Sequence, residues 1–329
     1  MYLLDWTGNH FLDPDNILAT IKASTESGWN PTTRATRGDP QLIYAIARSF
    51  SVEPTSIAVV PGSAAGIDAV LRSYPSAPIV DIIPNFHQAR TVASRDRRIY
   101  FRVKVGPDSD LETAVEEYCN IGAILIVASP SNPYGFHIPL HKIEALLSKW
   151  DGIVLLDEAY ADFAPSTAIS LTTQYSNLIV SRTFSKAWGL ADVRIGFLVG
   201  NRFPSRFDSY ITCIAPSYTS TFVALRMLEE PSLIRRSISA TIKMRGLIFD
   251  KLHDFQSIHA HMSQANFLAI HCDDATRVVR DLRMHDIQVK QLSTLKDWPL
   301  DWKDGFRLSI CPQPVFNHFL GALSEVNVS

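Results

Sequence analysis

Two runs of wholly apolar residues, AILIVA at 123–128 and IVLL at 153–156, most constrain what this chain can become. A strand with one wet face alternates apolar and polar side chains. A run without alternation must be covered on both faces. Short β-branched runs recur at 56–60, 78–83, 99–105, 177–181 and 195–199. Patterns with helical spacing lie between them: 63–74, with Ile67, Val70 and Leu71 on one face, 111–118, and 140–150, with Ile143, Leu146 and Leu147. Strands alternating with helices imply βαβ units, hence an α/β fold with a mostly parallel central sheet flanked by helices.

After Phe222 the texture changes. Residues 222–252 are helical in pattern, rich in arginine and lysine, and broken near Glu230-Pro231. A strand at 266–271, a helix at 275–285, a strand at 306–310 and a helix at 315–326 complete the chain as a compact α+β unit. The expected organisation is an N-terminal segment (1–30), a large domain (31–225) and a small C-terminal domain (226–329).

Hydrophobic residues make up 46% of the 329 and charged residues 19%, which suits a large covered interior and excludes a disordered chain. Thirty-one basic against 33 acidic side chains leave a net charge of −2, which argues against nucleic acid as a partner and for a small bound ligand. Cys119, Cys213, Cys272 and Cys311 are scattered without the spacing of a metal site or a disulfide framework, and read as buried thiols of a reducing compartment. The opening MYLLDW lacks the basic start and apolar run of a signal peptide, and no apolar stretch reaches the roughly 18 residues of a membrane span. A soluble cytoplasmic protein that touches no membrane is expected.

In open α/β sheets, ligands bind at the carboxyl ends of strands. Four segments stand there. Gly62-Ser63-Ala64-Ala65 opens a helix with small residues, as a phosphate site or a plain turn does. SPSNPYG (129–135) is a rigid turn that presents Asn132, for function or for structure alone. Asp157 ends an apolar strand, where a carboxylate needs a cationic partner or caps the next segment of chain. SRTFSKAWGLADVRIGF (181–197) sets hydroxyls, Lys186 and Arg194 in a short turn between two apolar strands, where a lysine can be desolvated as Schiff-base chemistry requires.

SPSNPYG, DEAYADF (157–163) and RTFSKAWGLADVRIGF (182–197), in that order and spacing, resemble the fold-type I pyridoxal-phosphate (PLP) aminotransferases, nearest to their histidinol-phosphate aminotransferase branch. The resemblance runs over roughly residues 35–325. It implies a large PLP-binding domain, a small domain, an N-terminal segment near the active site, and a homodimer with sites at the interface. By position, Lys186 would form the Schiff base with PLP and shuttle the proton. Asp157 would pair with the pyridine nitrogen, and Asn132 and Tyr160 would contact the ring's phenolic oxygen. Thr183, Ser185, Arg194 and the backbone at Ser63 and Ala64 would hold the phosphate. Phe86 would stack on the ring, Arg307 would grip the substrate carboxylate, Asn9 would contact substrate, and Asn266 matches a small-domain asparagine. No metal is implied.

Three features depart from the family pattern. Residues 32–42 hold no tyrosine where relatives reach a neighbouring subunit's phosphate. Arg34 or Arg37 substitutes there, or is a surface residue. Lys290 stands after DIQV where relatives carry an arginine, so a phosphate or second carboxylate would be gripped less specifically. The opening LDWTGN (4–9) also resembles that of threonine-phosphate decarboxylases, which makes Trp6, His10 and Phe11 candidates for the substrate entrance or for core packing. The expected activity is amino transfer on an amino acid or keto acid. A decarboxylase, cyclase or lyase of the same fold is the alternative.

Overall fold

The computed structural model describes residues 1–28, 40–106, 109–201, 203, 206–212 and 215–326. Seven strands form the main sheet: β2 (Ile57–Val60), β3 (Ile79–Ile83), β4 (Tyr100–Lys104), β5 (Ile124–Ala128), β6 (Ile153–Asp157), β7 (Leu178–Thr183) and β8 (Gly196–Gly200). A first strand, β1 (Tyr2–Leu3), lies apart from them. The order across the sheet is β2-β8-β7-β6-β5-β3-β4; β8 is antiparallel to both its neighbours and every other pair is parallel. The wholly apolar strands are buried on both faces, as their lack of alternation requires. Leu125 and Val127 enter one core cluster with α2 (Pro40–Phe50), α6 (Leu140–Lys149) and α8 (Tyr218–Glu229). Ile124 and Ile126 enter a second with α3 (Ser63–Ser73), α4 (Gln88–Arg95) and α7 (Phe207–Thr212). Helix α1 (Pro14–Glu26), capped by the Asp13 side chain, packs on α8. Helix α5 (Leu111–Val115) is a short turn capped by Asp110.

Helix α9 (Ser232–Leu252) begins after Pro231 at the expected break and leads into a four-stranded antiparallel sheet ordered β12-β13-β10-β9. Its strands are β9 (Ile258–Ala260), β10 (Phe267–Cys272), β12 (Lys290–Gln291) and β13 (Gly305–Ser309), backed by α9, α10 (Ala275–Met284) and α11 (Gln313–Glu325) around a separate core. Leu225, Met227 and Ile234 belong to the large core; Met244, Ile248 and Leu252 belong to the small one.

The chain's first residues join the far unit. β1 pairs in parallel with β11 (Ile287–Gln288), and Leu4 is buried in the small core. The sequence pattern assigns no helix to α1, α2 or α4. In α4, QARTVASR, only Ala89, Val92 and Ala93 are buried, too thin an apolar stripe to stand out.

Candidate active site

Helix α3 begins at Ser63 just beyond β2, and no side chain caps it, so its first amides face the cleft with the positive end of the helix dipole. Because β8 runs antiparallel, its start lies between the ends of β2 and β7, with Gly196 opposite both Val60 and Thr183. The 184–195 connection therefore folds over the start of α3. Arg194, at φ +56°, lays its guanidinium on Gly62, where an added Cβ would lie 2.7 Å from a guanidinium nitrogen. Thr183 Oγ1 donates to Ser185 Oγ (2.9 Å) and accepts from the Ser185 amide (3.1 Å), so both hydroxyls stay at the strand end.

Asp157 ends β6 with its carboxylate buried beneath the cleft. One oxygen accepts from the Ala159 amide (3.1 Å). Burial pushes its pKa up to about 6, against the pull of that amide and of the Lys186 charge. Beside it, Glu158 points the other way and takes Arg182, the Thr167 hydroxyl and the Ala168 amide (2.6 Å). Arg182 also binds Asp162 at 2.6 Å. This buried network holds the 158–168 turn and with it Tyr160.

Tyr160 Oη accepts from Asn132 Nδ2 (3.3 Å) and lies 3.0 Å from Thr7 Oγ1. Lys186 Nζ donates to Thr7 Oγ1 at 2.6 Å and stands 5.4 Å from the Tyr160 ring centre. Arg307, on β13, donates to Asn132 Oδ1 (2.8 Å) and to the Asp5 carbonyl (2.6 Å) and sits over the Phe267 ring. Burial lowers its pKa. Phe86 is 41% exposed on the opposite wall. Its amide donates to Asn85 Oδ1 (2.7 Å), and Asn85 donates to Asp81 Oδ1 (3.1 Å), which burial raises to about 7 and Tyr100 holds at 2.7 Å.

One cleft of about 600 Å³ thus brings together Ser63, Ala64, Phe86, Asn132, Asp157, Tyr160, Thr183, Ser185, Lys186, Arg194 and Arg307. Asn9 is corrected. Its amide donates to the Ala187 carbonyl (2.6 Å) and Ser237 Oγ (2.9 Å), outside the cleft lining, so it pins the N-terminal segment rather than facing a ligand. Of the three entrance candidates, Trp6 lines the cleft, Phe11 packs on the small core, and His10 is absent from the lining. Asn266 donates to the Thr7 and Gly8 carbonyls. Arg34 and Arg37 lie outside the described residues. Sequence reasoning missed Thr7, whose place next to Lys186 spans 179 positions of chain and leaves no local signal.

The family model for aminotransferase class I and II matches residues 3–320. The chain belongs to this family, the PLP-dependent aminotransferases that its motifs resemble. It is 30% identical to histidinol-phosphate aminotransferase of Chlorobaculum tepidum over 226 residues, 68% of this chain and 63% of that protein. It is 26% identical to the Thermoanaerobacter pseudethanolicus enzyme of that name over 315 residues, 90% of this chain and 85% of that protein. Its fold matches the solved histidinol-phosphate aminotransferase of Clostridium acetobutylicum with a TM-score of 0.85 at 18% identity, covering 99% of both chains.

The cleft fits PLP on its own chemistry. An uncapped helix start, two hydroxyls and an arginine suit a phosphate dianion. A buried carboxylate with a single amide partner suits a pyridinium N–H. A lysine amine lines the same cleft.

Proposed function

We propose that this aminotransferase moves the amino group of an amino acid to a 2-oxo acid, with PLP held at Lys186. The observation that carries the reading is the meeting of Lys186, Asp157, the Arg194–Ser63 corner and Arg307 in one cleft, although they come from four separate stretches of chain. When bound, PLP supplies an electron sink that lets a bond at the substrate Cα break. Asp157 keeps the ring nitrogen protonated, since a buried carboxylate and a pyridinium neutralise each other. Thr183, Ser185, Arg194 and the Ser63 and Ala64 amides bind the phosphate. Phe86 covers the ring face, and Asn132 and Tyr160 hold the phenolic oxygen. Lys186 Nζ takes the Cα proton and returns it.

Arg307 grips the substrate carboxylate through the second hydrogens of its two terminal nitrogens, whose first hydrogens stay on the Asp5 carbonyl and Asn132. The planar fork suits that group better than a lysine would. Lys290 is the register partner of Arg307 in the β12–β13 pair but does not line the cleft, so any second anionic group on the substrate would have to reach past Arg307 to meet it. The exposed Trp6 and Phe86 rim favours a substrate with some apolar body.

The reading includes a 31–225 cofactor domain, a 226–329 small domain and a 1–30 segment completing the site. It also includes a homodimer, which family likeness supports, and a cytoplasmic location, which the free Cys119, Cys272 and Cys311 support. No helix among the described residues is long and apolar enough to cross a membrane.

The test is a single-turnover screen of the PLP-loaded enzyme against individual amino acids. One 2-oxo acid formed per bound cofactor is expected. Carbon dioxide released without any oxo acid would move the enzyme to the decarboxylases.

A further inference from the structure

The Thr7 hydroxyl lies between Lys186 Nζ (2.6 Å) and Tyr160 Oη (3.0 Å), and the residue is only 3% exposed, so water does not compete for these bonds. A hydroxyl has one hydrogen and two lone pairs, whereas an ammonium only donates. Oγ1 therefore accepts from Nζ, and its own hydrogen and second lone pair remain for the bond to Tyr160 Oη. The Tyr160 ring flanks Nζ at 5.4 Å on one side, and the amine otherwise opens onto the cleft.

Thr7 stands in no helix or strand, so its place comes from what its neighbours bind. Leu4 O accepts from the Ser309 amide (3.0 Å), and Trp6 O accepts from Ser309 Oγ (2.8 Å). Asp5 O accepts from Arg307 (2.6 Å), and Thr7 O and Gly8 O share Asn266 Nδ2. The partners sit on β13 or at the start of β10, all in the small unit. On the other side, Asn9 reaches Ala187, the residue after the lysine.

We propose that Thr7 is a positioning residue for Lys186. Its hydroxyl aims the free amine, and the lacing to β13 means the amine is aimed only when the small unit sits against the large one with Arg307 in place. Binding the carboxylate and aiming the lysine are then one event. The proposal rests on the reading of Lys186 as the group that moves the proton.

Thr7→Val keeps shape and removes the hydroxyl. Misplacing a reacting group by about 1 Å costs about 100-fold. The variant is expected to bind PLP to full visible absorbance, but the cofactor-free chain captures it several-fold more slowly. It should keep KM within about threefold while kcat falls about 10–100-fold. The primary isotope effect with an α-deuterated amino acid should rise, and Thr7→Ser should restore kcat, capture rate and isotope effect. Asn266→Ala, which frees the Thr7 carbonyl and spares the hydroxyl, should shift the isotope effect the same way by less.

Wild-type kcat and isotope effect in Thr7→Val would overturn the proposal. So would a loss confined to PLP content and KM, or a Ser variant no better than Val. If Thr7→Val does not fold, a wild-type isotope effect in Asn266→Ala overturns it. A wild-type enzyme that neither binds PLP nor consumes amino acids overturns the underlying reading, whatever Thr7 does.

Discussion

Asp157 and Glu158 are buried neighbours at the end of one strand, but only Asp157 opens onto the cleft. Glu158 is nearly saturated: Arg182, Thr167 and the Ala168 amide give its two oxygens three donors, and Arg182 also binds Asp162. Asp157 faces the cleft with a single backbone partner, and burial leaves its pKa near 6. A satisfied buried charge builds the scaffold, while an unsatisfied one is a binding group waiting for its counter-ion. The strand's alternation puts the two on opposite sides, so each is placed by the other's neighbour.

Breaking the saturated half should cost most. Arg182→Met strands the buried Glu158 and the half-buried Asp162 and is expected to lower stability by about 3–5 kcal/mol. Urea unfolding measures it, and a loss under about 1 kcal/mol would mean that the network is not the scaffold described.

The waiting half should respond in the reverse sense. A carboxyl whose folded pKa is raised above its unfolded value favours folding at low pH, and that contribution fades as pH rises through about 6. In the cofactor-free chain, Asp157→Asn is therefore expected to gain about 2–3 kcal/mol over wild type at pH 8, and nothing below about pH 4. PLP retention should collapse in the same variant. Melting curves at the two pH values, with absorbance of the loaded protein, decide both points.

Arg307→Lys sharpens the contrast at the substrate end. A point charge replaces a two-pronged donor, and KM for the amino acid is expected to rise about 10–100-fold. Steady-state kinetics showing an unchanged KM would remove Arg307 from the carboxylate. Asn9→Ala should do least. It loses three side-chain hydrogen bonds that pin the segment, about 1 kcal/mol of stability by thermal melting, with cofactor content unchanged.

Much of the large sheet was legible because a wholly apolar run has few places to go. The strand ends then named their own residues: Asp157 after IVLL, and Thr183, Ser185, Lys186 and Arg194 within a single connection. In the small unit the helices and the strands β10 and β13 were also readable from pattern, but the short β9, β11 and β12 were not. Asn9 reads as a ligand contact because it is polar and near the start of a family-like motif, yet its amide is spent on the Ala187 carbonyl. Nothing in the letters distinguishes an amide that faces a ligand from one that faces a backbone. The saturation of Glu158 was equally hidden, since its partners Thr167 and Arg182 declare themselves only once the turn is folded.

By itself, the sequence determined the layers and the strand ends, because hydrophobic period is a local property of a chain, and its motifs carried the family resemblance from which the cofactor-binding set is proposed. The tertiary structure decided which buried charges are closed and which are open. It also brought Thr7 to Lys186 across 179 positions, by pinning the N-terminal segment to β13. Such contacts depend on backbone carbonyls and on the packing of two units, and no residue type encodes those.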